Sequence, residues 1–166
     1  MADFILRDAH SGDIADTCDL VLTHGPSEFN YLPVDAVERH LRQIPDPVRG
    51  VVAQCGTHLV GVATFVDRYP DGPMTCDIGK HVFYISEVVV HADFRGRGVG
   101  RAMLDYVAGH AARHDADAVY IDRHTDNYAS GAMMLHAGYQ MALCYTDPRR
   151  RTNGSCETAL HVRKVR

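Results

Sequence analysis

The sequence predicts an α/β fold, a mixed β-sheet with helices on both faces, and three observations lead there. Apolar residues recur at helical spacing in two early stretches, then change to a strand-like period between residues 51 and 66. From there strand and helix alternate toward the end, and the run Val82 to Val90 is almost continuously apolar, which suits a central strand covered on both sides. Finally, 166 residues with 46% hydrophobic and 23% charged side chains, without repeat, low-complexity tract or Pro/Ser-rich linker, suit one domain over 1–166.

The elements follow in order. Phe4 to Arg7 reads as a first strand, and Ser11 stands as an N-cap before Ile14, Cys18, Val21 and Leu22 at helical spacing. After Gly25-Pro26, the residues Val34, Val37, Leu41 and Ile44 define a second helix, opened by Pro33 and ended by Pro45. Val51 to Cys55 and Leu59 to Val66, joined by Gly56-Thr57-His58, form a hairpin. A Gly- and Pro-rich loop runs from Arg68 to His81 before the central strand. Val99, Met103, Tyr106, Val107 and His110 share a helical face, so a helix runs from near Gly98 to about His114. Ala118 to Ile121 is a strand and Ser130 to Ala137 a short helix closed by Gly138 at C′. The end reads as two strands around Asp147 to Ser155.

Composition excludes several classes of function. A net charge of -4 and a pI near 6.2 do not suit a nucleic-acid or anionic-lipid surface. The longest apolar stretch, Leu59 to Val66, is far below the ~20 residues that span a bilayer, and the start lacks a basic region followed by an apolar core. No membrane partner and a cytoplasmic location are therefore expected. The cysteines, Cys18, Cys55, Cys76, Cys144 and Cys156, are odd in number and form no C-x-x-C pair, so reduced and mostly buried thiols are expected rather than disulfides or a zinc ribbon. His110 and His114 have i, i+4 spacing but no third ligand, and no metal is expected.

The functional signal is concentrated where the central strand ends. In Arg95-Gly96-Arg97-Gly98-Val99-Gly100-Arg101 a strand runs into glycines and then a helix start, whose unpaired N–H groups carry partial positive charge and suit a phosphate. Three arginines add bidentate donors. A dinucleotide G-x-G-x-x-G would need glycine where Arg101 stands, and no P-loop pattern occurs.

Arg95-x-x-Gly98-x-Gly100 resembles the [RQ]-x-x-G-x-[GA] signature of the GNAT superfamily of acetyl-CoA-dependent N-acetyltransferases. Tyr84 to Val90 looks like that family's central strand, and Asn127 to Tyr139, ending in Gly138-Tyr139, looks like its second cofactor motif. The resemblance covers roughly residues 50 to 146. It implies a mixed, mostly antiparallel six- to seven-stranded sheet flanked by about four helices, with splayed central strands. Acetyl-CoA would be the cosubstrate. Backbone groups of Val88, Val89 and Val90 would pair with its pantetheine arm, and the N–H groups of Arg95, Gly96, Arg97, Gly98, Val99, Gly100 and Arg101 would hold the pyrophosphate. Asn127 and Ser130 would approach the pantetheine or the thioester. The arm would lie between the strands that contain Val88 and Val119.

The implied reaction is acetyl transfer to a primary amine by direct attack in a ternary complex. A lysine-like amine with pKa near 10.4 must lose a proton first, at a cost of roughly 4.6 kcal/mol at pH 7. Glu87, the one acid in an apolar strand, is the expected catalytic base, with burial raising its pKa toward neutrality. The family's usual tyrosine acid is replaced by Met134, with Tyr128, Tyr139 and Tyr145 as substitutes outside the motif. That replacement keeps open an alternative, a catalytically silent acyl-CoA-binding regulatory module. The acceptor is a small-molecule or peptide amine. Glu28 to Tyr31 and His124 are candidates to face it, and Arg149 to Arg151 with Asn153-Gly154 would border it or a homodimer contact.

Overall fold

A computed structural model describes residues 4–67 and 81–166, so the expected Gly/Pro loop and Cys76 lie outside the described residues. Seven strands form one sheet: β1 (Ile5–Asp8), β2 (Arg49–Cys55), β3 (His58–Val66), β4 (Val82–Val90), β5 (Ala118–His124), β6 (Gln140–Thr146) and β7 (Glu157–Lys164). Their order is β1-β2-β3-β4-β5-β7-β6, and every neighbouring pair is antiparallel except β4–β5. Among the described residues four α-helices accompany it: α1 (Ile14–His24), α2 (Val34–Leu41), α3 (Val99–Arg113) and α4 (Tyr128–His136). This is the mixed, mostly antiparallel architecture expected from the sequence.

Strand alternation divides the buried residues between two faces. Val51, Ala53, Ala63, Phe65, Phe83, Ile85, Val119 and Ile121 pack with Val99, Met103, Leu104 and Val107 of α3. On the opposite face Val52, Val62 and Val89 pack with Leu20 and Val21 of α1 and Val37 and Leu41 of α2. Helix α3 lies so close to β3 that a Cβ on Gly61 would stand 2.9 Å from a Val99 methyl.

Several boundaries differ from expectation. Ser11 does not cap α1: it opens a 3-10 turn over Ser11–Asp13, capped by His10, whose imidazole accepts from the Gly12 N–H, and Asp13 is the N-cap of α1. Helix α2 stops at Leu41 instead of reaching Ile44, since a residue before proline avoids the helical region; Ile44 is nevertheless buried. Helix α4 begins earlier, at Tyr128, because Asn127 caps it by accepting from the Ser130 N–H at 3.2 Å. The last two strands flank Asp147 to Ser155, as expected. The expectation of mostly buried thiols is corrected as well: Cys18, Cys55 and Cys156 are half-buried and Cys144 is exposed. No helix among the described residues is long and apolar enough to cross a membrane.

Candidate active site

Two departures from regular pairing create the site. Strand β4 pairs with β5 only from Val82↔Ala118 to Ile85↔Ile121, and beyond that point β5 is held by β7 alone. The strands part into a gap with one free backbone edge on β4. On its other edge β4 stays on β3, but Ser86 is an extra residue: Ile85 faces Phe65 and Glu87 faces Thr64. Such a bulge shifts the side-chain alternation by one. Phe83 and Ile85 pack on the α3 side before it, and Val88 and Val90 do so after it. Glu87 is thereby turned to the α1/α2 side, away from the apolar core that its parity with Ile85 would have given it.

The gap opens into a cleft of about 160 Å³ lined by Ser86, Glu87 and Val88 on one wall and by Asp122, Arg123 and His124 on the other. Asn127, Ser130, Met133 and Met134 of the α4 region, Phe29 and Asn30 of the α1–α2 loop, and Arg150 and Arg151 complete it. Half-buried Glu87 has its carboxyl pushed up to about 7, first by burial and then by the charge of Asp122, with Arg150 and Arg151 opposing. Asp122 is a hub. It accepts from the Tyr84 hydroxyl at 2.8 Å, from both Arg150 Nη atoms at 3.0 and 3.1 Å, and from Arg151 Nη2 at 2.8 Å. Arg151 is buried and also donates to the Thr158 hydroxyl.

The glycine turn lies at the end of the same strand. Gly96 and Gly98 have φ of +74° and +82°, left-handed values that favour glycine, and a Cβ on either would meet no atom within 4 Å. Both project into an open cup. Gly98 is the N-cap of α3, and no side chain caps the N–H groups of that first turn. Two of the predicted N–H donors are spent within the turn: Arg95 on the Ala92 carbonyl and Arg97 on that of Phe94. Gly96, Gly98, Val99, Gly100 and Arg101 supply the rest of the cup.

The three guanidinium groups do not converge on it. Arg95 donates to the His24 carbonyl at 2.7 Å and fastens the turn to α1, Arg97 lies over the Phe94 ring, and Arg101 pairs with Asp105 one turn along α3. Backbone direction also sorts the β4 residues. The His91 N–H bonds to Val60 of β3, so alternation aims the Val89 groups at β3 and those of Val88 and Val90 at the gap.

Several candidates take structural roles. His124 is buried, its Nδ1 accepting from the Asp126 N–H and its Nε2 donating to the Asn153 carbonyl at 2.7 Å, so both ring nitrogens are engaged within the fold. Tyr139 is buried, donates to the Leu104 carbonyl, and has its pKa raised by burial; Tyr128 is exposed. Tyr139, Tyr128 and Tyr145 do not line the cleft, whereas Met134 does. Glu28 offers its carbonyl to Asn153 Nδ2. His110 contacts Arg49 Nη1 at 2.8 Å and stacks on His114, and among the described residues no three His, Cys, Asp or Glu gather as a metal site. Sequence reading missed Asp122, whereas Arg150 and Arg151, two of the residues offered as bordering the acceptor, do line the cleft. Asp122 is the one acid of β5, as Glu87 is of β4, and that signal could have found it.

The model of the acetyltransferase (GNAT) family matches residues 16–139, most of the chain. The chain belongs to the GNAT acetyltransferase family. Solved structures that share its fold include smu.2055 from Streptococcus mutans, with a TM-score of 0.79 and 19% identity over 98% of this chain and 99% of that one. Another is the ribosomal-protein-S18-alanine N-acetyltransferase from Escherichia coli, at 0.75 and 10% over 98% and 94%. A third is yncA from Salmonella typhimurium with its cofactor acetyl-CoA, at 0.73 and 16% over 99% and 95%. Membership in this family supports an acyltransferase with acetyl-CoA as cosubstrate.

Proposed function

We propose that this GNAT protein transfers the acetyl group of acetyl-CoA directly to a primary amine in a ternary complex, with Glu87 as the base. The observation that carries the reading is the coincidence of three features at one place: the free edge of β4 beyond Ile85, the bulge that turns Glu87 into the cleft, and the open glycine cup at the end of the same strand. In this reading the pantetheine arm adds to β4 as a strand would, through the outward groups of Val88 and Val90. The pyrophosphate sits on the N–H groups of Gly96, Gly98, Val99, Gly100 and Arg101, while the Asn127 amide nitrogen and Ser130 hydroxyl border the thioester end.

The amine then attacks the thioester carbon while Glu87, poised near neutrality, accepts its proton. The outward N–H of Val88 stabilises the oxygen that gains charge. The carbon–sulfur bond breaks, an amide forms, and water protonates the departing thiolate. A thiol with pKa about 8.5 needs little help, so Met134 in place of a tyrosine acid is tolerable. Among the described residues no cysteine lines the cleft, and direct attack by the amine needs no acyl-enzyme. The acceptor is a small-molecule or peptide amine entering between Phe29, Asn30 and the β6–β7 loop.

Thiol release from acetyl-CoA across a panel of amines, N-terminal peptides and aminoglycosides tests this reading. Transfer to at least one amine with formation of its amide is expected. Tight acetyl-CoA binding without thiol release from any of them would favour a silent binding module.

A further inference from the structure

If Glu87 takes a proton from each amine, that proton must leave a cleft which acetyl-CoA and acceptor fill during turnover. The structure offers a route on the side of Glu87 away from the gap. Thr64 of β3 stands directly opposite Glu87 in the antiparallel register, and opposed residues share a face with Cβ atoms about 5 Å apart. Thr64 is fully buried. Its hydroxyl lies 2.9 Å from Nε2 of His40, which α2 lays against this face, and His40 itself is half-buried with an edge to solvent. No side-chain hydrogen bond to the Glu87 carboxyl occurs among the described residues, which leaves its oxygens open to a water between it and Thr64.

We propose that Thr64 and His40 are the proton exit of the site, carrying to solvent the proton that Glu87 takes from the acceptor amine. The proposal rests on the reading of Glu87 as the base. Protonated Glu87 gives its proton through one water to the Thr64 oxygen as the Thr64 hydroxyl proton passes to the His40 Nε2 lone pair. The imidazolium so formed releases its Nδ1 proton to bulk water, and exchange at the half-exposed ring restores the starting tautomer. No bond other than O–H and N–H changes.

The surroundings suit a proton carrier. Burial lowers the His40 pKa, so the ring is neutral and able to accept near pH 7. On its own helix Glu38 is paired with Arg42 at 2.7 Å and Arg39 is exposed; α1 presents Cys18, whose thiol is pushed up by burial and by Glu38; β4 presents Glu87. A purely structural role would be to satisfy the Thr64 hydroxyl, and the two are separable.

The test measures kcat against pH, in H2O and in D2O, for the fastest amine found in the panel, with acetyl-CoA-induced thermal shift as the measure of intact binding. Thr64→Val keeps the shape and removes the relay oxygen; His40→Gln keeps a hydrogen bond and removes the proton carrier. Each is expected to lower kcat about tenfold, a share of the ~10²–10⁴ that proton transfer supplies, with a larger solvent isotope effect and an unchanged thermal shift. Thr64→Ser is expected to recover most of the Thr64→Val loss, and added imidazole to raise the rate of His40→Ala. Wild-type rate and isotope effect in Thr64→Val and His40→Gln, beside a slow Glu87→Gln, would overturn the exit and leave the base in place. Full activity in Glu87→Gln would overturn both, and Thr64→Ser as slow as Thr64→Val would mark a packing role.

Discussion

Glu87 shows how one extra backbone residue governs chemistry. Without the bulge at Ser86 its carboxyl would share the α3 face with Ile85; with it the carboxyl faces Asp122 and water. Its pKa near 7 makes two opposite demands. As a base it works ionised, so kcat/KM is expected to rise through about pH 7 and flatten above, and Glu87→Gln should lose ~10²-fold or more in kcat together with that rise. For stability the sign is reversed. The folded pKa lies above the unfolded value of 4.5, so the native state binds the extra proton between them and stability falls as pH climbs from 4.5 to 7. Glu87→Gln is therefore expected to raise the melting temperature at pH 8 more than at pH 5, by an amount worth at most roughly 3 kcal/mol. An equal shift at both pH values would contradict the raised pKa. Asp122→Asn addresses the second cause: the pH–rate rise should move to lower pH, and loss of the buried Arg151 partner should cost on the order of 3–5 kcal/mol in denaturant titration.

At the scale of elements, the glycine turn and the α4 start are two helix N-termini put to different uses. Helix α4 is capped by the Asn127 side chain, whereas α3 begins at Gly98 with no side-chain cap. Gly98→Ala would force a left-handed φ on an L-residue, costing about 1–2 kcal/mol, and would push a methyl into the open cup. Acetyl-CoA affinity measured by calorimetry should fall more than stability does. Asn127→Ala should cost about 1 kcal/mol through the lost cap alone, and its affinity loss reports the amide nitrogen separately. Gly61→Ala belongs to packing: it presses α3 away from β3, destabilising by roughly 1–3 kcal/mol with little effect on affinity per folded molecule.

Across the whole molecule, the parting of β4 from β5 joins the faces that the sheet otherwise separates. The α1/α2 side supplies Glu87, Phe29 and Asn30, the α4 region supplies Asn127 and Ser130, and the β6–β7 loop supplies Arg150 and Arg151. Asn153 Nδ2 reaches the Glu28 carbonyl at 2.9 Å, tying together the α1–α2 and β6–β7 loops, which lie far apart in sequence. Saturation with acetyl-CoA at about 100 times its Kd should stabilise the fold by about 2.7 kcal/mol, read as a rise in melting temperature.

What the sequence by itself determined is what depends on short-range rules. Period and turn chemistry were enough for the central strand, found at Val82–Val90 as expected, and for the helix behind Gly98. Spacing alone placed the glycine cup, since left-handed turns and helix starts are made by consecutive residues. Glu87 stood out because a lone acid in an apolar strand carries a desolvation cost wherever it points. Only the tertiary structure decided where that acid points, because the bulge is a mismatch between two strands and is written in neither. The same holds for Arg95, a candidate phosphate ligand by composition that instead holds α1, and for Asp122, Thr64 and His40. Their neighbours come from distant parts of the chain, and pairing between strands brings them together.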